Sequence, residues 1–217
     1  MRLQTTLALS VLFATTISFC ATGANSAFAQ PQAQGEPDPS LLKRHAPTDS
    51  DAAVELKEFH GQGISVKYPA GWEVISDVPE PRVLHVKTLG GKVNASVTVQ
   101  DLPDDTSLDD YKDATTRDIT EEAGQIHPEK LSEETTHLGE MPAWKLVYSI
   151  KVPESKPASS AKQTLFVAVK DGRGYLLCCT AFDALPGKFD GVFRSMADSM
   201  KVDSGAAKAA PAADAPN

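Results

Sequence analysis

The chain has 217 residues, 41% of them hydrophobic, and a formal net charge of −8. That length accommodates one domain with flanking segments. An acidic chain with no run of Lys and Arg lacks the cations that nucleic acid and anionic bilayers require, which argues against both as partners.

Residues 1–29 read as a secretory signal peptide. Arg2 supplies the positive end, Leu7 to Phe19 an apolar run too short to span a bilayer, and Ala27-Phe28-Ala29 an A-x-A cleavage site. Cleavage there would start the mature chain at Gln30 and remove Arg2 with no acidic residue, taking the charge from −8 to −9. Phe19 is too large for the position before a lipid-bearing cysteine, so Cys20 does not suit a lipoprotein anchor. Residues 30–52 are rich in Pro, Gln, Ala, Ser and Asp without apolar periodicity and read as a disordered linker. Residues 204–217 read as a disordered tail. One domain is expected over 53–203.

Within it strands come first. Glu58–Gly61 suits a short entry strand. Ile64, Val66 and Tyr68 alternate with Ser65 and Lys67, the pattern of a strand with one buried side. Pro69-Ala70-Gly71 ends it, and Trp72–Ser76 suits a further strand. Arg82–Leu89 and Lys92–Leu102 flank Gly90-Gly91 as a hairpin. In the second of these, Val93, Ala95, Val97 and Val99 alternate with Asn94, Ser96, Thr98 and Gln100. A helix follows, capped by Thr106 or Ser107, with Asp109 and Asp110 in its first turn. Leu108, Tyr111, Thr115 and Ile119 share its apolar face, and Gly124 and Pro128 bound its end.

The second half repeats this layout. Lys130–Leu138 is mostly polar and suits a sheet edge. Ala143–Val152 places Trp144, Leu146, Tyr148 and Ile150 on one face. Pro153–Ala161 reads as a loop. Gln163–Lys170 and Gly174–Phe182 flank Asp171-Gly172-Arg173, a hairpin signal. Leu165, Val167 and Val169 alternate with Phe166 and Ala168, so this strand should be covered on both sides. A last helix, Pro186–Met200, carries the stripe Phe189, Val192, Phe193, Met196 and Met200. The predicted fold class is α+β: an α/β/α sandwich with a central antiparallel sheet and helices on its faces.

Cys178 and Cys179 are neighbours in a strand, so their sulfurs should diverge and remain free structural thiols. Asp101, Asp104, Asp105, Asp109 and Asp110 form an acidic loop. A calcium loop would carry a glycine turn and a distal Glu, whereas Pro103 stands here, and a solvated helix cap is the simpler reading. His45, His60, His85, His127 and His137 show no zinc spacing. His60 and His85 could meet on neighbouring strands. Asn94-Ala95-Ser96 is a formal glycosylation sequon inside a strand. Trp72 and Trp144 suit core packing better than a stacking platform. No nucleophile, phosphate-loop or dinucleotide motif stands in a supporting context. Catalytic, cofactor-binding and metal residues are therefore all assigned as none, and no enzyme is expected.

Several segments together resemble one superfamily. They are Gly63-Ile-Ser-Val-Lys-Tyr-Pro-Ala-Gly-Trp72, Val93–Val99, Ser107-Leu-Asp-Asp-Tyr111, Asp171-Gly172 before Gly174-Tyr-Leu-Leu177, and Phe189–Met200. This layout resembles the PsbP/DcrB-like superfamily, which includes the extrinsic PsbP protein of photosystem II, bacterial DcrB-like envelope proteins and a small eukaryotic Ran-binding factor. The resemblance implies an α/β/α sandwich around an antiparallel sheet and binding or adaptor roles, and it carries no catalytic residue across. The expected function is an exported, non-enzymatic binding or adaptor protein of the cell envelope, periplasmic or secreted, with a protein partner and no cofactor. The alternative is an exported small-molecule or metal-ion-binding module using the Asp101–Asp110 loop or a groove near Trp144.

Overall fold

The computed structural model describes residues 55–121, 127–152, 159–182 and 187–203. The expected signal peptide, linker and tail, and Gly124 and Pro186, lie outside the described residues. The element order is β1 (Leu56–Gly61), β2 (Ile64–Pro69), β3 (Glu73–Val74), β4 (Arg82–Lys87), β5 (Val93–Asp101), α1 (Leu108–Glu121), β6 (His127–Leu138), β7 (Met141–Val152), β8 (Ser159–Lys170), β9 (Arg173–Phe182), α2 (Asp190–Ser199) and β10 (Lys201–Val202).

Seven strands form an antiparallel sheet in the order β3-β4-β5-β9-β8-β7-β6. Its long hairpins are set by sequence. Asp171 and Gly172 both have positive φ, 52° and 72°, as a two-residue turn matching the strand twist requires. The polar strand β6 is an edge, as its composition predicts. β8 is central, with Leu165 and Phe166 buried on opposite sides. Three expectations are corrected. The strand after Gly71 is only Glu73–Val74. Pro128 lies in β6 opposite Ile150. Ser159–Ala161 belong to β8 rather than a loop, because they pair with Val152–Ile150 of β7.

A second, three-stranded sheet has the order β1-β2-β10 and was not anticipated. β10 pairs Lys201 with Ser65 and Val202 with Ile64, and the Asp203 amide donates to the Gly63 carbonyl at 2.9 Å. Two residues carry too short a pattern to announce a strand.

The core has two parts, one on each side of the large sheet. Helix α2 packs Phe193, Met196 and Ala197 with Ile64 and Val66 of the small sheet against Val86, Val97, Phe166, Leu177 and Cys179. On the opposite side α1 packs Tyr111 against Leu146, Leu165, Val167, Leu176 and Cys178, with Leu108 and Ile119 flanking. The two helices thus lie on opposite faces. At Gly174 an added Cβ would sit 2.6 Å from the Tyr111 ring, so glycine lets that ring lie flat on β9. Burial and the nearby Asp118 carboxylate push the Tyr111 phenol far above its ordinary pKa.

Candidate functional site

The acidic loop does not converge. Ser107, not Thr106, caps α1: its backbone N–H and hydroxyl donate to Asp110 Oδ2 at 3.1 and 2.6 Å, and the Asp110 amide donates to Ser107 Oγ at 3.1 Å. These bonds hold the Asp110 carboxyl below its ordinary pKa. The Thr106 hydroxyl donates to the Pro103 carbonyl at 2.7 Å. Asp101 pairs with Arg173 at 3.3 Å, and Asp109 accepts the indole N–H of Trp144 at 2.8 Å. Among the described residues no group of three or more His, Cys, Asp or Glu side chains could hold a metal ion.

Both tryptophans are engaged by neighbouring side chains. The Lys112 ammonium stands 4.6 Å from the centre of the Trp144 ring, and Glu133 holds that ammonium at 3.0 Å. Trp72 meets Phe189 at 6.3 Å, and Phe189 stacks on Phe193 at 6.4 Å, which extends the α2-side core. His60 and His85 are not on neighbouring strands: His60 is in the small sheet beside Glu58 at 3.6 Å, and His85 is in the large one. Cys178 and Cys179 are free and buried on opposite faces. The Gln163 amide donates to Cys178 Sγ at 3.2 Å. Burial pushes the Cys178 thiol up to about 11 and the Cys179 thiol well above its ordinary value, so neither is a thiolate near neutral pH.

A concavity lies on the α2 side, opposite Trp144. It is an open groove of about 270 Å³ between α2 and strands β7 and β8. Val147, Thr164, Phe166 and Phe193 make its floor; Lys145, Lys162, Asp190 and Arg194 make its rim. Period-two alternation puts Lys145 and Val147 on this side of β7 and Lys162, Thr164 and Phe166 on this side of β8. Helical spacing brings Asp190, Phe193 and Arg194 to the facing side of α2. Every rim cation has a partner. Lys162 meets Asp190 at 2.8 Å and Lys145 meets Glu134 at 2.7 Å. Arg194 meets Asp198 at 3.2 Å and donates to Thr136 Oγ1 at 2.8 Å. The Lys145 ammonium holds the Glu134 carboxyl below its ordinary pKa. All three carboxylates are about half exposed or more, and pairs of that kind contribute at most about 1 kcal/mol each. A partner can exchange with them at low cost.

The family model of PsbP matches residues 54–202. The chain belongs to the PsbP family. Its domain resembles the solution structure of cyanobacterial PsbP (CyanoP) from Synechocystis, with 19% identity and a TM-score of 0.55 over 72% of this chain and 99% of that one. The Ran-binding protein Mog1p of Saccharomyces cerevisiae gives 14% identity and a TM-score of 0.49 over 72% and 100% of the two chains. LpqN of Mycobacterium tuberculosis, described as involved in cell envelope biogenesis, gives 12% and 0.48 over 70% and 93%. No curated protein matches the chain. The sequence reading of this PsbP-family domain missed the groove because its rim is drawn from β7, β8 and α2. The one available signal was a lysine flanked by apolar residues within a strand, Trp144-Lys145-Leu146.

Proposed function

We propose that this PsbP-family chain is an exported, non-enzymatic binding or adaptor protein of the cell envelope that receives a protein partner in the groove between α2 and strands β7 and β8. The observation that carries this reading is an apolar floor inside a rim of exchangeable ion pairs. A floor of Val147, Phe166 and Phe193 favours an apolar anchor residue, and charges of both signs around it select a partner surface with complementary charges. The short apolar run and the Ala27-Phe28-Ala29 site support export, and no described helix is long and apolar enough to cross a membrane.

The test places a photo-crosslinking amino acid at Thr164, on the floor, and separately at exposed Lys57 on β1, in cells producing the full chain. A discrete adduct from Thr164 that disappears when Lys162→Glu and Arg194→Glu are added is the expected result. Adducts from Lys57 alone, or one from Thr164 that survives the charge reversals, would refute the groove as the site. N-terminal sequencing of envelope material should begin at Gln30; a chain beginning at Met1 would refute cleavage.

A further inference from the structure

The α1 side of the large sheet is only partly covered. Helix α1 packs on β8 and β6 and, through Tyr111, on Leu176 and Cys178 of β9; the strands beyond them, β4 and β5, carry a different surface. Cross-strand register assembles it in rows. Lys87 stands opposite Asn94, which stands opposite Thr180, which stands opposite Gln163. His85, Ser96 and Cys178 make the next row, and Arg82 and Thr98 begin the third. Side chains on one face therefore include three basic groups from a single strand and a field of amides and hydroxyls beside them. Asn94, Ser96, Thr98, Arg82 and His85 are half-buried, whereas Thr180, Gln163 and Cys178 in the same rows are buried.

Arg82 is the decisive residue. It is half-buried, and among the described residues it has no carboxylate partner and no side-chain hydrogen bond. Register puts it opposite Thr98, on the face that also carries His85 and Ser96. A guanidinium carries five donors, and partly burying one without an anion costs free energy. Lys87 is only loosely engaged by Glu73, at 3.6 Å, and Glu73 is at the sheet's edge. The side chains of Asn94, Ser96 and Thr98 likewise make no hydrogen bond among the described residues.

We propose that this face of β4 and β5 binds a small, soluble phosphorylated polyol, with Arg82 and Lys87 on the phosphate and Asn94, Ser96 and Thr98 on the hydroxyls. A phosphate monoester carries about −1.5 to −2 charges at pH 7, which suits more than one cation. Two strands about 4.8 Å apart and three same-face rows about 7 Å apart give a strip on the order of 5 by 14 Å, long enough for a hexose phosphate lying along the strands. A membrane headgroup does not suit the surface. Helix α1, about 10 Å thick, stands above the sheet beside it and exposes Asp109, Asp110, Asp113 and Glu121, so an anionic bilayer would meet those carboxylates first.

This reading uses the opposite face from the groove and stands or falls separately. The test is an NMR titration of the full chain with glucose 6-phosphate, following the His85 ring and the Asn94 side-chain amide. Glucose, inorganic phosphate and vesicles of phosphatidylglycerol and phosphatidylcholine serve as comparisons. Saturable shifts with glucose 6-phosphate, none with glucose, weaker binding of phosphate, and about tenfold or greater weakening by Arg82→Gln are expected. Lys162→Glu should leave the binding unchanged. Arg82→Gln should also melt no lower than the native protein, because it removes an uncompensated charge. Equal affinity in Arg82→Gln, phosphate binding as tightly as the ester, a response to vesicles alone, or a lower melting temperature in Arg82→Gln would each overturn the assignment.

Discussion

Truncating Phe193 to alanine measures how firmly α2 is held to the sheet. The ring is 3% exposed and lies among Phe166, Met196 and Phe189, stacked on the last at 6.4 Å. Removing a buried phenyl ring and leaving the void costs about 3–5 kcal/mol, of which the aromatic pair supplies about 0.5–1.5. Phe193 also lines the groove, so the void opens to solvent and fills with water, which lowers the cavity contribution. The expected loss is therefore about 3 kcal/mol, at the lower end. Met196, 1% exposed and away from the groove, should lose a larger share of its 2–5 kcal/mol range on Met196→Ala. Equilibrium urea unfolding of the two variants, with unchanged m-values, reads these differences directly. A Phe193→Ala change within about 0.5 kcal/mol of zero would refute the packing of this helix on the sheet.

Gly174→Ala should destabilise the domain by about 1–3 kcal/mol through overpacking against Tyr111, and Tyr111→Leu in the same chain should recover part of that loss in thermal melts. Cys178 and Cys179 should resist thiol reagents until the domain unfolds, as mass spectrometry of timed labelling reports. Because the folded Cys178 pKa is raised from 9.0 to about 11, its contribution is fully present below pH 9 and is lost as pH rises toward 11. Stability should then fall by about 1.4 kcal/mol per pH unit for this thiol, a slope that Cys178→Ala reduces. Trimming to 53–203 should leave the melting temperature unchanged, whereas ending the chain at 200 should lower it, because Lys201 and Val202 pair with β2.

Alternation and helical stripes made most of this fold legible. Val93–Gln100 and Trp144–Ile150 announced half-buried strands, Leu165–Val169 a strand covered on both sides, and the adjacent cysteines their divergence onto opposite faces. Each of these follows from the geometry of a single element. What was hidden depends on pairing between elements. β10 is two residues that become a strand only when Ser65 and Ile64 accept them. Arg82, His85 and Lys87 have irregular spacing in the sequence because the ladder slips between Arg82 and Leu84, so no basic cluster shows in the linear chain. The groove rim draws Lys145, Lys162, Asp190 and Arg194 from three elements, and only the pairing of β7 with β8 brings the first two together.

The small sheet also sets how the domain bears load. β1 and β10 flank β2, and both run antiparallel to it. The first residue of β1, Leu56, stands opposite Pro69, while the last of β10, Val202, stands opposite Ile64. The chain therefore leaves the sheet at the two opposite ends of β2. Tension between the N- and C-terminal sides of the domain pulls along the strands and shears their hydrogen bonds together rather than opening them one by one. The two residues of β10 should yield first and hand the force to α2, while the six-residue pairing of β1 still holds. Attached at both ends, the domain would behave as a mechanical link with its weaker grip on the C-terminal side.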